Sequence, residues 1–88
     1  ERRRFAAVAR ALGDPKRRSV LEAHAGGEAS VGELATRVSC QVPNMSQPLA
    51  VLRSAGLVSA RRDGSTVYYR LTDPRILEAY RLIKSVAS

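Results

Sequence analysis

Two side-chain amides, Asn44 and Gln47, lie three residues apart in the stretch CQVPNMSQPLAVLRSAGLV, residues 40–58. If that stretch is helical, this spacing places both amides on one face of the helix. An amide offers both a donor and an acceptor, the complement of the pair that adenine presents in the major groove of DNA. Gln41 and Ser46 flank the amides and could reach a phosphate or a base edge. These residues predict a DNA-contacting helix face, with a merely solvated polar face as the alternative.

A second polar set surrounds Asp63-Gly64, a dipeptide typical of the tight turn of a β-hairpin. Two arginines precede this turn and two hydroxyl side chains follow it: Arg61, Arg62, Ser65 and Thr66. At the tip of a hairpin these side chains could contact phosphates or enter the minor groove. Arg53 and the cluster Lys16-Arg17-Arg18 are weaker candidates, which could serve phosphate binding or the fold.

The charge balance of the chain favours a polyanionic partner. Fifteen basic residues, thirteen of them arginine, against eight acidic residues give a net charge of +7. The planar guanidinium group suits phosphates and guanine edges, and a strongly basic small domain most often has a nucleic-acid partner. Charge for solubility is the alternative. No apolar run approaches the roughly 18 residues that a membrane span needs, so the sequence predicts no membrane partner.

Periodic apolar residues and proline signals predict two helices in the first third of the chain. Phe5, Val8 and Leu12 would line one face of a first helix. Asp14-Pro15 then supplies an N-cap and the proline that a first helical position tolerates. The second helix is predicted over about residues 15–25.

The rest of the chain predicts a helix-turn-helix followed by a hairpin. Residues 30–33, SVGE, fit the capping-box spacing for a short third helix that ends near Val38. A fourth helix is predicted over residues 42–54, and two short helices joined by a tight turn form a helix-turn-helix. The hairpin spans residues 57–71, and a last helix follows Asp73-Pro74. The predicted fold is mainly α with a β-hairpin wing, a winged helix-turn-helix of four helices, two strands and a fifth helix.

From ALGDPKRRSVLEAHAGGEASVGELA through MSQPLAVLRSAGLVSARRDGSTVYYRL, the sequence resembles the ArsR family of small bacterial winged-helix transcription regulators. The resemblance covers about residues 6–72, and its most specific parts are ALGDPKRR, VGELA, LAVLRSAGLV and GSTVYYRL. It implies a cytoplasmic, sequence-specific repressor, nucleoid-associated when bound, that binds a palindromic operator as a homodimer and leaves it when an effector binds. Residues 1–88 would form one DNA-binding and dimerisation domain, with helix 42–54 and wing 57–71 against the DNA.

The family uses its first and last helices as the dimer interface. The resemblance therefore implies a partner chain at the apolar stripes of these two helices: Phe5, Val8, Leu12, Ile76, Tyr80 and Ile83. Packing of both stripes inside the monomer is the alternative. The wing departs from the family, which often has a basic residue just after the wing glycine. This chain has Ser65 there, so the positive charge of the wing must come from Arg61 and Arg62.

Pro48 conflicts with a helix that begins near Val42. Inside such a helix it would remove the hydrogen bond to the carbonyl of Asn44, and an interior proline costs about 3 kcal/mol unless the helix adapts. We favour a continuous helix kinked at Asn44, because Val42 and Met45 keep helical phase with the residues that follow. In the alternative, the helix begins late with Ser46 as its N-cap, and residues 41–45 form a loop.

The sequence lacks the metal sites that many ArsR relatives carry. Those relatives use cysteine pairs in the third helix or sets of His, Asp and Glu in the last helix. Here SVGELATRV has no cysteine, and PRILEAYRLIKSVAS has no histidine and one acid, Glu78. No cofactor is therefore evident. A metal effector would need ligands from tails outside residues 1–88 or across the dimer, for example His24 with carboxylates.

The single cysteine and the single histidine each have two interpretations. Cys40, just before the fourth helix, is expected to be a small buried residue. The alternative is a redox switch, because a thiolate near a helix N-terminus is stabilised and its oxidation would disturb the neighbouring helix. His24, on the second helix, is expected to pack in the core.

The sequence does not predict an enzyme. It shows no glycine-rich phosphate loop and no nucleophile, histidine and acid set around its single histidine. Two alternatives to an effector-responsive regulator remain: a winged helix that docks onto a protein, and a DNA binder without an effector. Asn44 and Gln47 beside Arg61 and Arg62 favour DNA, because a protein-docking face more often exposes aromatic residues or methionine.

Overall fold

Five α-helices and a small antiparallel sheet form the part of the chain that the computed structural model describes, residues 2–87. The α-helices are α1 (Arg2–Ala11), α2 (Pro15–Glu22), α3 (Val31–Arg37), α4 (Ser46–Ser54) and α5 (Arg75–Ala87). The strands are β1 (Ala29–Ser30), β2 (Val58–Asp63) and β3 (Thr66–Leu71). Two short 3-10 turns follow α2 and precede α4, over Ala23–Gly26 and Val42–Met45. The mainly α fold with a β-hairpin wing is confirmed.

The helices α2 and α3 begin where their capping residues predict. The Asp14 side chain accepts a hydrogen bond from the backbone N–H of Arg17 at 3.0 Å, with Pro15 as the first helical residue. At α3, the Ser30 hydroxyl accepts from the Glu33 N–H at 3.1 Å, and the Glu33 carboxylate accepts from the Ser30 N–H at 2.8 Å. These caps satisfy N–H groups that have no partner inside the helix.

One hydrophobic core holds α2, α3 and α4 together and extends under the sheet and α5. Its largest apolar members, none more than 2% exposed, are Leu21, Leu34, Met45, Leu49, Leu52, Val20 and Val58. Full burial of an aliphatic side chain of this size contributes about 1.5–3 kcal/mol. This packing fixes the orientation of α4, because the side of α4 that faces inward is apolar along its whole length.

The sheet has three strands in the order β1-β3-β2. Arg61 lies opposite Tyr68, and Asp63 lies opposite Thr66, next to the turn in which Gly64 has a φ of 64°. On the other side, β3 pairs with β1 through Ala29 and Tyr69. The sequence predicted the hairpin but not β1, because two residues are too short to show an alternation of polar and apolar side chains.

The second helix is shorter than predicted. It was expected over about residues 15–25, but α2 ends at Glu22, and a 3-10 turn continues to Gly26. Gly27, at a φ of 100°, then reverses the chain toward β1. This 3-10 turn contains the buried His24. His24 therefore follows α2, whereas the sequence predicted it within the second helix.

The predicted helix over residues 42–54 is also corrected. The favoured continuous α-helix is wrong, since residues 42–45 form a 3-10 turn and α4 begins at Ser46. Pro48 is thus the third residue of α4, where an N–H has no helical partner to lose. The late-start alternative is closer, although residues 41–45 are not a loop and the N-cap is Met45 rather than Ser46. The change of pitch leaves Val42 out of phase with the core and 51% exposed.

Candidate nucleic-acid interface

The turn between α3 and α4 is held by backbone hydrogen bonds at the end of α3. The Ser39 N–H donates to the Thr36 carbonyl at 3.2 Å, and the Cys40 N–H donates to the Ala35 carbonyl at 2.9 Å. Ser39 has a φ of 53°, in the left-handed region. These bonds are those of a Schellman motif, in which the left-handed position is usually a glycine. The motif sets the angle at which the chain leaves α3 toward α4.

The outward face of α4 and the preceding turn carries the polar side chains that the sequence singled out. Four of them are exposed: Gln41, Asn44, Ser46 and Gln47. In the described part of the chain, the side chains of these four residues make no hydrogen bond. The opposite face buries Met45 and Leu49 at no more than 1% exposure. The core therefore presents the amides to solvent, with their donors and acceptors available.

The two arginines of the wing have different surroundings. Arg61 donates two hydrogen bonds to the Glu28 carboxylate, Nε to Oε2 and Nη2 to Oε1, each at 2.8 Å. Its guanidinium also lies 4.6 Å from the centre of the Tyr68 ring. Arg62 is exposed and makes no hydrogen bond or ion pair with any residue of the range 2–87. In the described part of the chain, Arg62 is therefore the wing arginine whose charge is not paired with a carboxylate.

The ion pair of Arg61 also affects Glu28. Hydrogen bonds from the Arg61 guanidinium hold the pKa of the Glu28 carboxyl below its ordinary value. Glu28 follows the predicted second helix and was not among the residues that the sequence singled out. The contact joins residues 33 positions apart in the chain, so no local sequence pattern could have indicated it.

The other sequence candidates for DNA contact fall into two groups. Ser65 is exposed at the wing tip, Thr66 is half-buried, and Arg53 is exposed on α4. Two members of the basic cluster instead make hydrogen bonds to the backbone of their own chain. Arg17 donates to the carbonyl of Ala11 at 2.8 Å, and Arg18 donates to that of Leu12 at 2.8 Å. Both satisfy carbonyl groups at the end of α1, which the helix itself leaves unpaired.

Large apolar side chains are exposed on α1 and α5. Of the residues predicted for the dimer interface, Phe5 is 75% exposed and Ile83 is 68% exposed. Leu82 and Val86, which were not among the predicted interface residues, are 69% and 86% exposed. This exposure is unfavourable for a lone monomer in water.

The remaining predicted interface residues lie closer to the core. Val8, Leu12 and Ile76 are half-buried against it. Tyr80 is 8% exposed, and its hydroxyl donates to the Glu22 carboxylate at 3.2 Å. Lys84 donates to the same carboxylate at 3.0 Å, which lowers the pKa of Glu22. Tyr80 thus packs largely inside its own chain, where the sequence predicted an intermolecular contact.

The two candidate sensor residues differ in their burial. His24 is 2% exposed, which confirms the packed interpretation of its surroundings. Cys40 is half-buried, and its thiol donates a hydrogen bond to the Gln41 carbonyl at 3.4 Å. Among residues 2–87, no three His, Cys, Asp or Glu side chains are grouped so that they could hold a metal ion. No helix in the same range is long and apolar enough to cross a membrane.

Comparison with known proteins gives consistent matches. The model of a helix-turn-helix domain family matches residues 12–61. The chain is 48% identical over 69 residues to the HTH-type transcriptional regulator KmtR of Mycobacterium tuberculosis, covering 78% of this chain and 53% of that protein. It is 38% identical over 81 residues to the biofilm growth-associated repressor of Agrobacterium fabrum, covering 92% of this chain and 67% of the relative. The chain thus spans about half to two thirds of these relatives.

A solved structure has the same fold. It is the homodimeric winged helix-turn-helix DNA-binding domain of a possible ArsR-family transcriptional regulator from Mycobacterium bovis, determined in solution. The TM-score is 0.84 at 34% identity, covering 96% of this chain and 78% of the other. The elements that carry the polar face of α4 and the wing are therefore those of a known DNA-binding domain.

Proposed function

Because the chain belongs to the ArsR family of winged helix-turn-helix transcriptional regulators, we propose that it is an effector-responsive repressor that binds a palindromic operator as a homodimer. The observation that carries this proposal is the outward face of α4. Asn44 and Gln47 are exposed there, and within residues 2–87 their amides have no hydrogen-bond partner. Such amides suit bidentate contacts with adenine in the major groove.

The wing and the net charge support DNA as the partner. Arg62 extends from β2 without an acidic partner in the described part of the chain, so it is available for a phosphate or the minor groove. The net charge of +7 adds attraction to the DNA backbone that does not depend on sequence. Base contacts from α4 would then supply the sequence preference, and the wing would supply affinity and orientation.

The apolar face of α1 and α5 supports a homodimer. Phe5, Leu82, Ile83 and Val86 are each at least 68% exposed, and a second copy of the chain would remove them from water. A dimer suits a palindrome because two recognition helices about 34–36 Å apart meet successive major grooves on one side of the DNA.

The exposed residues of α4 are less typical of a protein-docking surface than of a DNA-binding one. Met45 precedes this helix and is fully buried, and the exposed side chains of α4 are polar or small. Docking faces on proteins are enriched in exposed aromatic residues, methionine and arginine. Within α4, Arg53 alone of these types is exposed.

The proposal is tested by fluorescence anisotropy on about 30 bp of DNA from upstream of the gene, against a scrambled duplex of equal composition. We expect a preference of about 10³-fold or more, with an affinity that falls as salt rises. The double variant Asn44→Ala/Gln47→Ala should lose the preference and keep the salt-dependent binding. Equal binding to both duplexes by the unaltered protein, whatever upstream or intergenic sequence is offered, would contradict the proposal.

A further inference from the structure

The two halves of α5 differ in how they contact the rest of the chain. Leu77 and Tyr80, in the first half, are 7% and 8% exposed and belong to the core. In the second half, residues 81–87 are all exposed. A cavity of about 420 Å³ lies between this half and the corner of α1 and α2, and its lining includes Leu12, Arg18, Ile83 and Lys84. Apolar packing therefore orients the first half of α5 and leaves the second half outside the core of its own chain.

The carboxylate of Glu22, the last residue of α2, joins α2 to α5. Its Oε1 accepts a hydrogen bond from the Tyr80 hydroxyl at 3.2 Å and another from Lys84 Nζ at 3.0 Å. Tyr80 and Lys84 are four residues apart, so they lie on the same side of α5. Lys84 Nζ also lies 5.8 Å from the centre of the Tyr80 ring. Glu22 thus contacts the packed half of α5 and the exposed half at once.

The α2 side of this contact is fixed to the helix that carries the amides. Val20 and Leu21, immediately before Glu22, are fully buried in the same core as Leu49 and Leu52 of α4. Because protein cores are close-packed, α2 and α4 keep a fixed geometry relative to each other. An interaction that holds the second half of α5 to α2 therefore also sets the direction of this half relative to α4.

In the proposed homodimer, that direction sets the distance between the two copies of α4. The second half of α5 carries Leu82, Ile83 and Val86, which are exposed and belong to the apolar face that a second copy would cover. Recognition helices that read a palindrome lie about 34–36 Å apart, and one additional base pair moves a half-site by about 3.4 Å. A change in the direction of α5 would therefore change which spacing of half-sites fits the dimer.

We propose that Glu22 is a positioning residue that selects the spacing of the two half-sites by holding the second half of α5 against α2. The DNA step rests on the proposed function, whereas the hold on α5 can be measured without DNA. The side chains of Lys84 and Glu22 are 57% and 32% exposed, and ion pairs of such exposure contribute little to the stability of a whole domain. Loss of the carboxylate should therefore leave the chain folded and change the orientation of α5.

The hold on α5 is tested first without DNA, by double electron–electron resonance between spin labels at Ser54→Cys and Ser85→Cys in a Cys40→Ser background. Subunit exchange with an excess of unlabelled protein restricts the measured distances to one chain. Glu22→Ala should broaden the distribution of distances between α4 and the second half of α5. Glu78→Ala is the matched control, since Glu78 is exposed on α5 and forms no hydrogen bond or ion pair within residues 2–87. Equal distributions in Glu22→Ala and the unaltered protein would overturn the proposal.

The DNA step is tested with operators whose half-sites are moved together or apart by one or two base pairs. The unaltered protein should bind one spacing best. Glu22→Ala should reduce the preference for this spacing by about tenfold, the effect of losing a hydrogen bond to a charged group. Glu22→Gln keeps the acceptor oxygen and loses the charge, so its preference should be intermediate. A residue that supported only the fold would lower the affinity for every spacing equally.

The outcomes separate this inference from the proposed function. If the unaltered protein binds no operator better than a scrambled duplex, the proposed function fails, and the spin-label distances still decide whether Glu22 holds α5. If the unaltered protein selects one spacing and Glu22→Ala selects it equally well, the role of Glu22 in spacing is wrong. The same conclusion follows if Glu78→Ala reduces the preference as much as Glu22→Ala does.

Discussion

The adjacent arginines of the wing differ in their contacts, and this difference predicts different effects of their replacement. Arg62→Ala should weaken operator binding by about tenfold and reduce the salt dependence by about one phosphate contact. Arg61→Ala removes the same charge from the next position and is the matched control. Because Arg61 is bound to Glu28, we expect its replacement to have a clearly smaller effect on affinity. Fluorescence anisotropy over a series of salt concentrations measures both quantities.

A larger loss in Arg61→Ala than in Arg62→Ala would contradict this assignment. It would mean that Arg61 leaves Glu28 when DNA binds. The variant Glu28→Gln distinguishes the two cases, because it frees Arg61 without removing a positive charge. If Arg61 serves only to hold the wing, Glu28→Gln should not increase the number of phosphate contacts.

The buried His24 predicts a pH dependence of stability. Burial lowers the folded-state pKa of this residue below its ordinary value of 6.5, so the unfolded chain takes up a proton at a pH where the folded chain does not. The free energy of unfolding should therefore be constant well above pH 6.5 and fall as the pH drops from about 6.5 toward the folded-state pKa. The slope can reach about 1.4 kcal/mol per pH unit.

The carboxylates affect a separate pH range. The pKa values of Glu22, Glu28 and Glu33 are lowered from 4.5, and that of Asp73 is lowered to about 2. Their stabilising contributions are therefore lost only below about pH 4.5. Urea denaturation at pH 7.5, 6.5 and 5.5 measures the free energy of unfolding above the range in which the carboxylates act, so it reports the effect of His24. The variant His24→Gln should remove the pH dependence in this interval. A slope that persists in the variant would assign it to another group.

At the scale of the elements, features that depend on local sequence signals were predicted, whereas features that depend on contacts between distant residues were not. The starts of α2 and α3 followed from Asp14 and from the Ser30 capping box, because a cap acts within three residues. The strand β1 and the ion pair of Arg61 with Glu28 were not predicted, since both depend on segments that meet only after folding. The polar face of α4 was predicted from residue spacing, although the pitch of its first turn was not.

Pro48 is expected to maintain the 3-10 turn before α4. Pro48→Ala supplies an N–H that can donate to the Asn44 carbonyl, so residues 42–45 should shift toward α-helix. Asn44 would then rotate relative to Gln47, and operator affinity should fall. Cα chemical shifts over residues 42–45 and anisotropy on the operator measure the two effects. Unchanged shifts with unchanged operator preference would exclude a role for the proline in DNA recognition.

The turn after α3 predicts a stabilising substitution. Ser39 has a φ of 53°, a conformation that costs a residue with a Cβ roughly 1–2 kcal/mol. Ser39→Gly should therefore raise the free energy of unfolding by about 1 kcal/mol, somewhat offset by the greater freedom of glycine in the unfolded chain. Ser19→Gly, within α2, is the matched control and should lower it by about half a kcal/mol. Urea denaturation of both variants tests the sign, and a loss of stability in Ser39→Gly would contradict the argument.

At the scale of the whole molecule, the polar and apolar surfaces are separate. The outward face of α4 and the wing tip expose amides, hydroxyls and arginine, whereas Phe5, Leu82, Ile83 and Val86 expose apolar area on α1 and α5. A monomer would keep that apolar area in water. Two copies joined there would bury it and leave both α4 faces free, which is the arrangement a palindromic operator requires.

Ile83→Glu tests this arrangement directly. The side chain is 68% exposed, so the substitution should leave the monomer folded but place a charge in the apolar interface, where its desolvation is unfavourable. We expect a monomer by light scattering, with native helix content by circular dichroism and with weak binding to a single half-site. Val42→Glu is the control: it introduces the same charge at a side chain that is 51% exposed beside α4. It should remain dimeric and lose DNA binding, so a dimer in Ile83→Glu, or a monomer in both variants, would place the interface elsewhere.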